Sequence, residues 1–139
     1  MRIFLTIPLL LALVHTAWAD TTNRAKQFSP VPGIFVGGVG LECKSNPPNI
    51  VEFLLLTKDR QRFGLAVFEN DDVTYDFMAI TRTTPRNYIV KQENIEFVLD
   101  RQSLKLTMEQ DYNCAVMSIS DLHNAAKDFL RTLLSENKI

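Results

Sequence analysis

Between Asn94 and Met117 the chain alternates apolar and polar side chains in three successive runs, with short polar turns between them. Ile95, Phe97 and Leu99 alternate with Glu96 and Val98, and Asp100-Arg101-Gln102 makes a turn. Leu104, Leu106 and Met108 alternate with Lys105 and Thr107, and Glu109-Gln110-Asp111 makes the next. Tyr112, Cys114 and Val116 then alternate with Asn113, Ala115 and Met117. A strand turns successive side chains to opposite faces, so this pattern constrains the segment to a half-buried antiparallel meander.

Upstream segments extend the same pattern. Gly33 to Lys44 reads as a strand whose glycines allow a bulge or a close backbone approach. A phosphate loop is not expected there, because such a loop needs a preceding strand, a following helix and a Lys-Ser/Thr pair at the helix start. Ser45-Asn46-Pro47-Pro48-Asn49 reads as a loop, since proline cannot donate to a ladder. Ile50 to Thr57 is almost wholly apolar and predicts a central strand covered on both faces. Arg62 to Glu69 and Val73 to Ile80 return as further strands, and Tyr88 to Val90 reads as a short strand or edge segment. Thr81 to Asn87, polar and containing Pro85, reads as a loop.

The C-terminal segment changes period. Leu122, Ala125, Ala126, Phe129, Leu130, Leu133 and Leu134 recur at intervals of three and four, the stripe of an amphipathic helix. Ser118 with Asp121 three positions on fits a capping box, with Asp in place of the usual Glu. The expected fold is α+β and mainly β: an antiparallel, curved meander of six to seven strands, with one C-terminal helix packed on it. A single globular domain is expected over 33–139, with strands within 33–117 and the helix over 119–135.

The first 19 residues carry the marks of a secretory signal peptide. Arg2 supplies the positive start, Ile3 to Val14 the apolar run, and Ala17-Trp18-Ala19 the small residues before a cut at Asp20. The run is about a dozen residues, short of the roughly 20 that span a bilayer. Residues 20–32, polar and punctuated by Pro30 and Pro32, read as a flexible leader. The expected location is therefore exported, periplasmic or secreted, with no integral membrane insertion after cleavage.

Two cysteines in an exported chain point to one disulfide, Cys43 to Cys114. Cleavage removes Arg2, one of 15 basic residues set against 16 acidic ones, and shifts the formal net charge from −1 to −2. That balance argues against nucleic acid, which requires a basic face to displace counterions from phosphates.

No residue set predicts catalysis, a metal or a cofactor. His15 leaves with the signal, so His123 remains, beside the helical stripe and read as a solvated surface residue. A nucleophile–base pair would need it near Ser or Cys with an orienting acid, and no G-x-S-x-G elbow exists. Glu69, Asp71, Asp72 and Asp76 are the densest acidic group, but they lack the alternating ligands, glycine and distal glutamate of a calcium loop. Tyr75, Tyr88 and Tyr112 could line an apolar pocket between sheet and helix, although a filled core is favoured at this size. Arg82, Arg86 and Asn87 mark a loop able to contact a partner.

Phe97-Val98-Leu99-Asp100-Arg101-Gln102-Ser103-Leu104, Leu106-Thr107 and Tyr112-Asn113-Cys114 together resemble a pattern in small exported bacterial β-meander proteins. In those a strand ends in Asp-Arg, a Thr/Ser-containing turn follows, and the last strand carries Tyr-x-Cys; most have no assigned activity. In size and disulfide use the chain is also similar to periplasmic lysozyme inhibitors, without their loop motifs. The lack of a catalytic set, the disulfide-stapled scaffold and the polar loops together lead to the expectation of an exported, non-enzymatic interaction module that binds another exported or envelope protein. The alternatives are a carrier or sensor of a small apolar ligand and an inhibitor of a cell-wall hydrolase.

Overall fold

The computed structural model describes residues 27–47 and 49–136. The signal-peptide assignment and residues 20–26 of the leader lie outside the described residues.

Among the described residues nine strands form one antiparallel sheet: β1 (Val39–Ser45), β2 (Val51–Leu56), β3 (Arg62–Glu69), β4 (Asp72–Ala79), β5 (Arg82–Thr83), β6 (Asn87–Gln92), β7 (Ile95–Asp100), β8 (Lys105–Thr107) and β9 (Asp111–Met117). A 3-10 turn at Gly33–Phe35 precedes them and helix α1 (Ile119–Glu136) follows. The mainly antiparallel meander with a C-terminal helix is as expected; nine strands replace the expected six to seven. Eight of the nine fall on segments that the side-chain pattern marks, the short Tyr88 segment among them, and β5 alone leaves no mark in it. The two residues of β5 pair as Arg82↔Ile89 and Thr83↔Tyr88, inside a segment whose composition reads as loop.

The strand order is β4-β3-β2-β1-β9-β8-β7-β6-β5. Two meanders therefore meet at the β1–β9 ladder, where Cys43 lies directly opposite Cys114 and is disulfide-bonded to it. At the far side, Ile80 and Thr81 join β4 to β5. The Ile80 N–H donates to the Gln61 carbonyl (2.9 Å) and the Thr81 N–H to the Ile89 carbonyl (2.8 Å). The pairings require β4 and β5 to run in the same direction, so they form one bent course handed from β3 to β6. The sheet curls into a half-barrel.

Its concave interior is filled by Leu41, Cys43, Leu54, Leu56, Phe63, Tyr88, Val90, Phe97, Leu99, Leu106 and Tyr112. Phe63 meets Phe97 edge-on at 5.0 Å between ring centroids and Tyr88 at 6.3 Å, so aromatic rings from three strands meet across the middle. On the convex side, Phe53, Leu55, Ala66, Val73 and Tyr75 pack against Leu122, Ala126 and Leu130 of α1 and against Phe35. β2 thus buries Leu54 and Leu56 on one face and Phe53 and Leu55 on the other, which accounts for its unbroken apolar run.

Two glycines permit this convex packing. A Cβ on Gly40 would lie 2.4 Å from Leu122 Cβ, and one on Gly64 would lie 2.6 Å from Phe35 Cζ. Any side chain there would push the helix or the Phe35 ring off the sheet. The helix begins as its cap predicts: the Asp121 N–H donates to Ser118 Oγ (3.0 Å) and the Leu122 N–H to the Ser118 carbonyl (2.9 Å).

The disulfide joins residues 71 apart in sequence. Closing a loop of that length restricts the unfolded chain and stabilises the fold by roughly 3–5 kcal/mol. Reduction, or Cys43→Ser, should accordingly lower the melting temperature by on the order of 10 °C or more. Thermal denaturation followed by circular dichroism with and without reductant measures this; coincident melts would show that the bridge adds nothing to stability.

Candidate interaction surface

Strand direction sorts the connections of the half-barrel between its two ends. One end gathers the β2–β3 turn, the β4–β5 corner, the β5–β6 turn and the β7–β8 turn. These carry Lys58, Arg60, Arg62, Arg82, Arg86 and Arg101 against Asp59 and Asp100. The opposite end gathers the β1–β2 loop and the β3–β4, β6–β7 and β8–β9 hairpins. Glu52, Glu69, Asp71, Asp72, Glu93, Glu96, Glu109 and Asp111 lie there, with Lys44, Lys91 and Lys105, which pairs with Asp111 at 3.1 Å, as the nearby bases. A chain whose net charge is close to zero is therefore strongly polarised along its barrel axis.

The arginine-rich end is built by side chains that tie its turns together. Asp100 Oδ1 accepts the Gln102 N–H (2.8 Å) and the Ser103 N–H (3.0 Å), which shapes the β7–β8 turn, and its Oδ2 accepts Arg86 Nε at 2.8 Å. The Ser103 N–H first, then the Arg86 guanidinium and the Gln102 N–H, hold this carboxyl well below its ordinary range. Arg101 Nη1 donates to the Thr84 carbonyl (2.9 Å), and its guanidinium lies 4.6 Å over the Tyr88 ring. In the β2–β3 turn the buried Thr57 hydroxyl donates to Asp59 and accepts the Gln61 and Arg62 N–H groups. There Arg60, at φ +60°, folds its Nη1 back onto the Thr57 carbonyl (2.9 Å).

Between these turns the interior opens as a shallow well of about 310 Å³. Val39, Leu41, Leu56, Tyr88, Leu99, Leu104 and Val116 line it, with Arg60 and Arg101 at the rim. Val116 is half exposed, and Leu104 adopts φ +60° in its turn. Among the described residues, neither Arg60 nor Arg101 forms an ion pair with a carboxylate. The acidic end holds a larger cleft of about 530 Å³ lined by Glu52, Asn94, Ile95, Glu96, Val98, Thr107, Met108, Glu109 and Tyr112. Burial there raises the Glu52 carboxyl above its ordinary value.

Of the predicted contact residues, Arg82 is exposed in β5, Arg86 is engaged by Asp100, and Asn87 opens β6 opposite Asp100. All three lie at the arginine-rich end. Arg60 and Arg101, which complete it, were not legible as site residues, because their proximity depends on strand direction rather than spacing. The three tyrosines do not line one pocket: Tyr88 and Tyr112 face the interior, while Tyr75 lies under the helix on the convex face.

His123 departs most from its sequence reading. It is buried, not solvated. Its Nε2 donates to the Ser29 carbonyl (3.0 Å), which leaves Nδ1 of the neutral ring to accept the Tyr75 hydroxyl proton (2.8 Å). Ser29 in turn donates its N–H to Asp72 Oδ1 (3.0 Å) and its hydroxyl to Asp72 Oδ2. Residues 27–32, expected as the end of a flexible leader, thus carry Ser29 into this network. Phe28 and Val31 pack against the convex core, with the Arg131 guanidinium 5.0 Å from the Phe28 ring. The helical stripe did not include His123 because apolar periodicity cannot register a polar residue that is buried by pairing.

Burial pushes the Tyr75 hydroxyl above its ordinary value and the His123 imidazole below 6.5. Lys127 pushes His123 the same way, and the Ser29 carbonyl and Asp72 oppose it. An imidazole that resists protonation only when folded contributes stability that is fully present above pH 6.5 and is lost as the pH falls through its folded value. Thermal melts from pH 7.5 downward should therefore show a fall beginning at about pH 6.5 that His123→Asn flattens. An unchanged slope in that variant would assign the acid sensitivity to other groups.

Among the described residues no cluster of His, Cys, Asp or Glu forms a group that could hold a metal ion. The disulfide is compatible with an oxidising, exported compartment, and among the described residues no helix is long and apolar enough to cross a membrane. Compared with known proteins, the chain matches no family model, no curated protein sequence and no solved structure.

Proposed function

We propose that this protein is an exported, non-enzymatic interaction module that docks an acidic protein surface on the arginine-rich end of its half-barrel. The observation that carries this reading is the segregation of basic and acidic turns to opposite ends of one rigid, disulfide-closed sheet. Arg60 and Arg101 are held by backbone carbonyls beside an apolar well, without carboxylates of their own among the described residues. Guanidinium groups fixed in this way are suited to planar carboxylate recognition, and a one-signed rim steers an oppositely charged partner toward it. A non-enzymatic role is further supported by His123, whose ring nitrogens are both occupied, and by the bonded cysteines. The carrier reading draws less support, because Phe63, Phe97 and Tyr88 fill the interior that an apolar ligand would need.

Affinity capture from the protein's own exported compartment tests the proposal. The wild type should retain an acidic protein whose binding weakens steeply with salt. A bait whose acidic end is reversed by Glu93→Lys and Glu109→Lys should keep that retention, and adding Arg82→Glu and Arg101→Glu to the same bait should abolish it. Capture that survives the arginine substitutions would overturn the assignment of this end as the docking face.

A further inference from the structure

We propose that the apolar well of the arginine-rich end receives the β6–β7 hairpin tip of a second copy of this chain. This rests on the reading of that end as a docking face and names its occupant. The well is floored by interior side chains, with Phe63 and Phe97 filling the sheet beneath. Its volume of about 310 Å³ admits a branched apolar side chain. Burying Arg60 and Arg101 around such a group without partners would leave uncompensated charge, so the occupant must bring carboxylates alongside its apolar group.

The acidic end of the same molecule presents that combination. Glu93 and Asn94 form the turn of the β6–β7 hairpin, with Gln92 paired to Ile95 and Glu93 at φ +51°. Ile95 stands 59% exposed between Glu93 and Glu96. An apolar side chain flanked by acids at one end thus matches an apolar well flanked by guanidiniums at the other. Because tip and well lie at opposite ends, the contact is heterologous: each copy that uses its tip keeps a free well. Head-to-tail chains follow rather than a closed pair. The contact area is small, so the association is weak and appears only in concentrated, low-salt solution.

Sedimentation velocity from micromolar to millimolar protein at low salt tests this. The wild type should show a sedimentation coefficient that rises with concentration and falls back on adding salt. Ile95→Lys, which spoils the tip, and Val116→Glu with Arg101→Glu, which spoils the well, should each remain monomeric. Mixed together, the two variants should form a 1:1 dimer that grows no further, since each retains one intact half; the dimer also shows that both variants are folded. A wild type that stays monomeric throughout, or an Ile95→Lys variant that assembles like the wild type, would overturn the proposal. If the wild type is monomeric yet its arginine-end variant loses a captured acidic protein, the second copy is excluded as occupant and the docking face itself stands.

Discussion

The β1–β9 ladder holds the whole sheet together. Each meander, β1 to β4 and β5 to β9, is built from sequence neighbours and needs only its own turns. Their joint existence rests on Gly40 to Ser45 pairing with Tyr112 to Met117, on the Cys43–Cys114 bridge within that register, and on the bent course through Ile80 and Thr81. Such a pairing is entropically costly to bring together, because its partners lie some 70 residues apart (separation 71). The bridge offsets that cost in the unfolded chain, and the aromatic contact of Phe63, Tyr88 and Phe97 offsets it in the folded one.

Closing the sheet in this way leaves the convex face of β1 to β4 to be covered. Its apolar residues would otherwise form a large exposed patch. Helix α1 covers them because β9 delivers the chain to that side and because Gly40 lets Leu122 approach the backbone. The segment around Ser29 finishes the cover, pinned by Asp72 and His123. The polar network is small, but it joins three separate parts of the chain: the segment before the sheet, β4 and the helix. A buried imidazole is tolerated there because both of its nitrogens have partners.

The same alternation of strand direction that builds the sheet divides its turns into two sets. Basic residues predominate in one set and acidic residues in the other, so a nearly neutral composition becomes a polarised object. The proposed docking face rests on this polarity. The rim guanidiniums are oriented by the turns themselves, with Arg101 over Tyr88 and Arg60 on the Thr57 carbonyl, so little side-chain freedom remains to be lost on docking.

Much of the architecture was written locally. The alternation from Asn94 to Met117, the double-faced run of β2 and the stripe of α1 each declare an element, because burial of one face acts on residues two, three or four positions apart. The bridge followed from there being two cysteines. What the sequence did not express was set by non-local pairing: β5, which bonds through its backbone alone; the handing of one strand from β3 to β6; and the burial of His123. The candidate surface was legible only in Arg82, Arg86 and Asn87, which share a loop. Arg60 and Arg101 join them only through strand direction and register. By itself the sequence determined which faces are buried, since that depends on the order of neighbouring side chains. The tertiary structure alone decided which charged turns stand together, since that depends on the direction in which each strand runs.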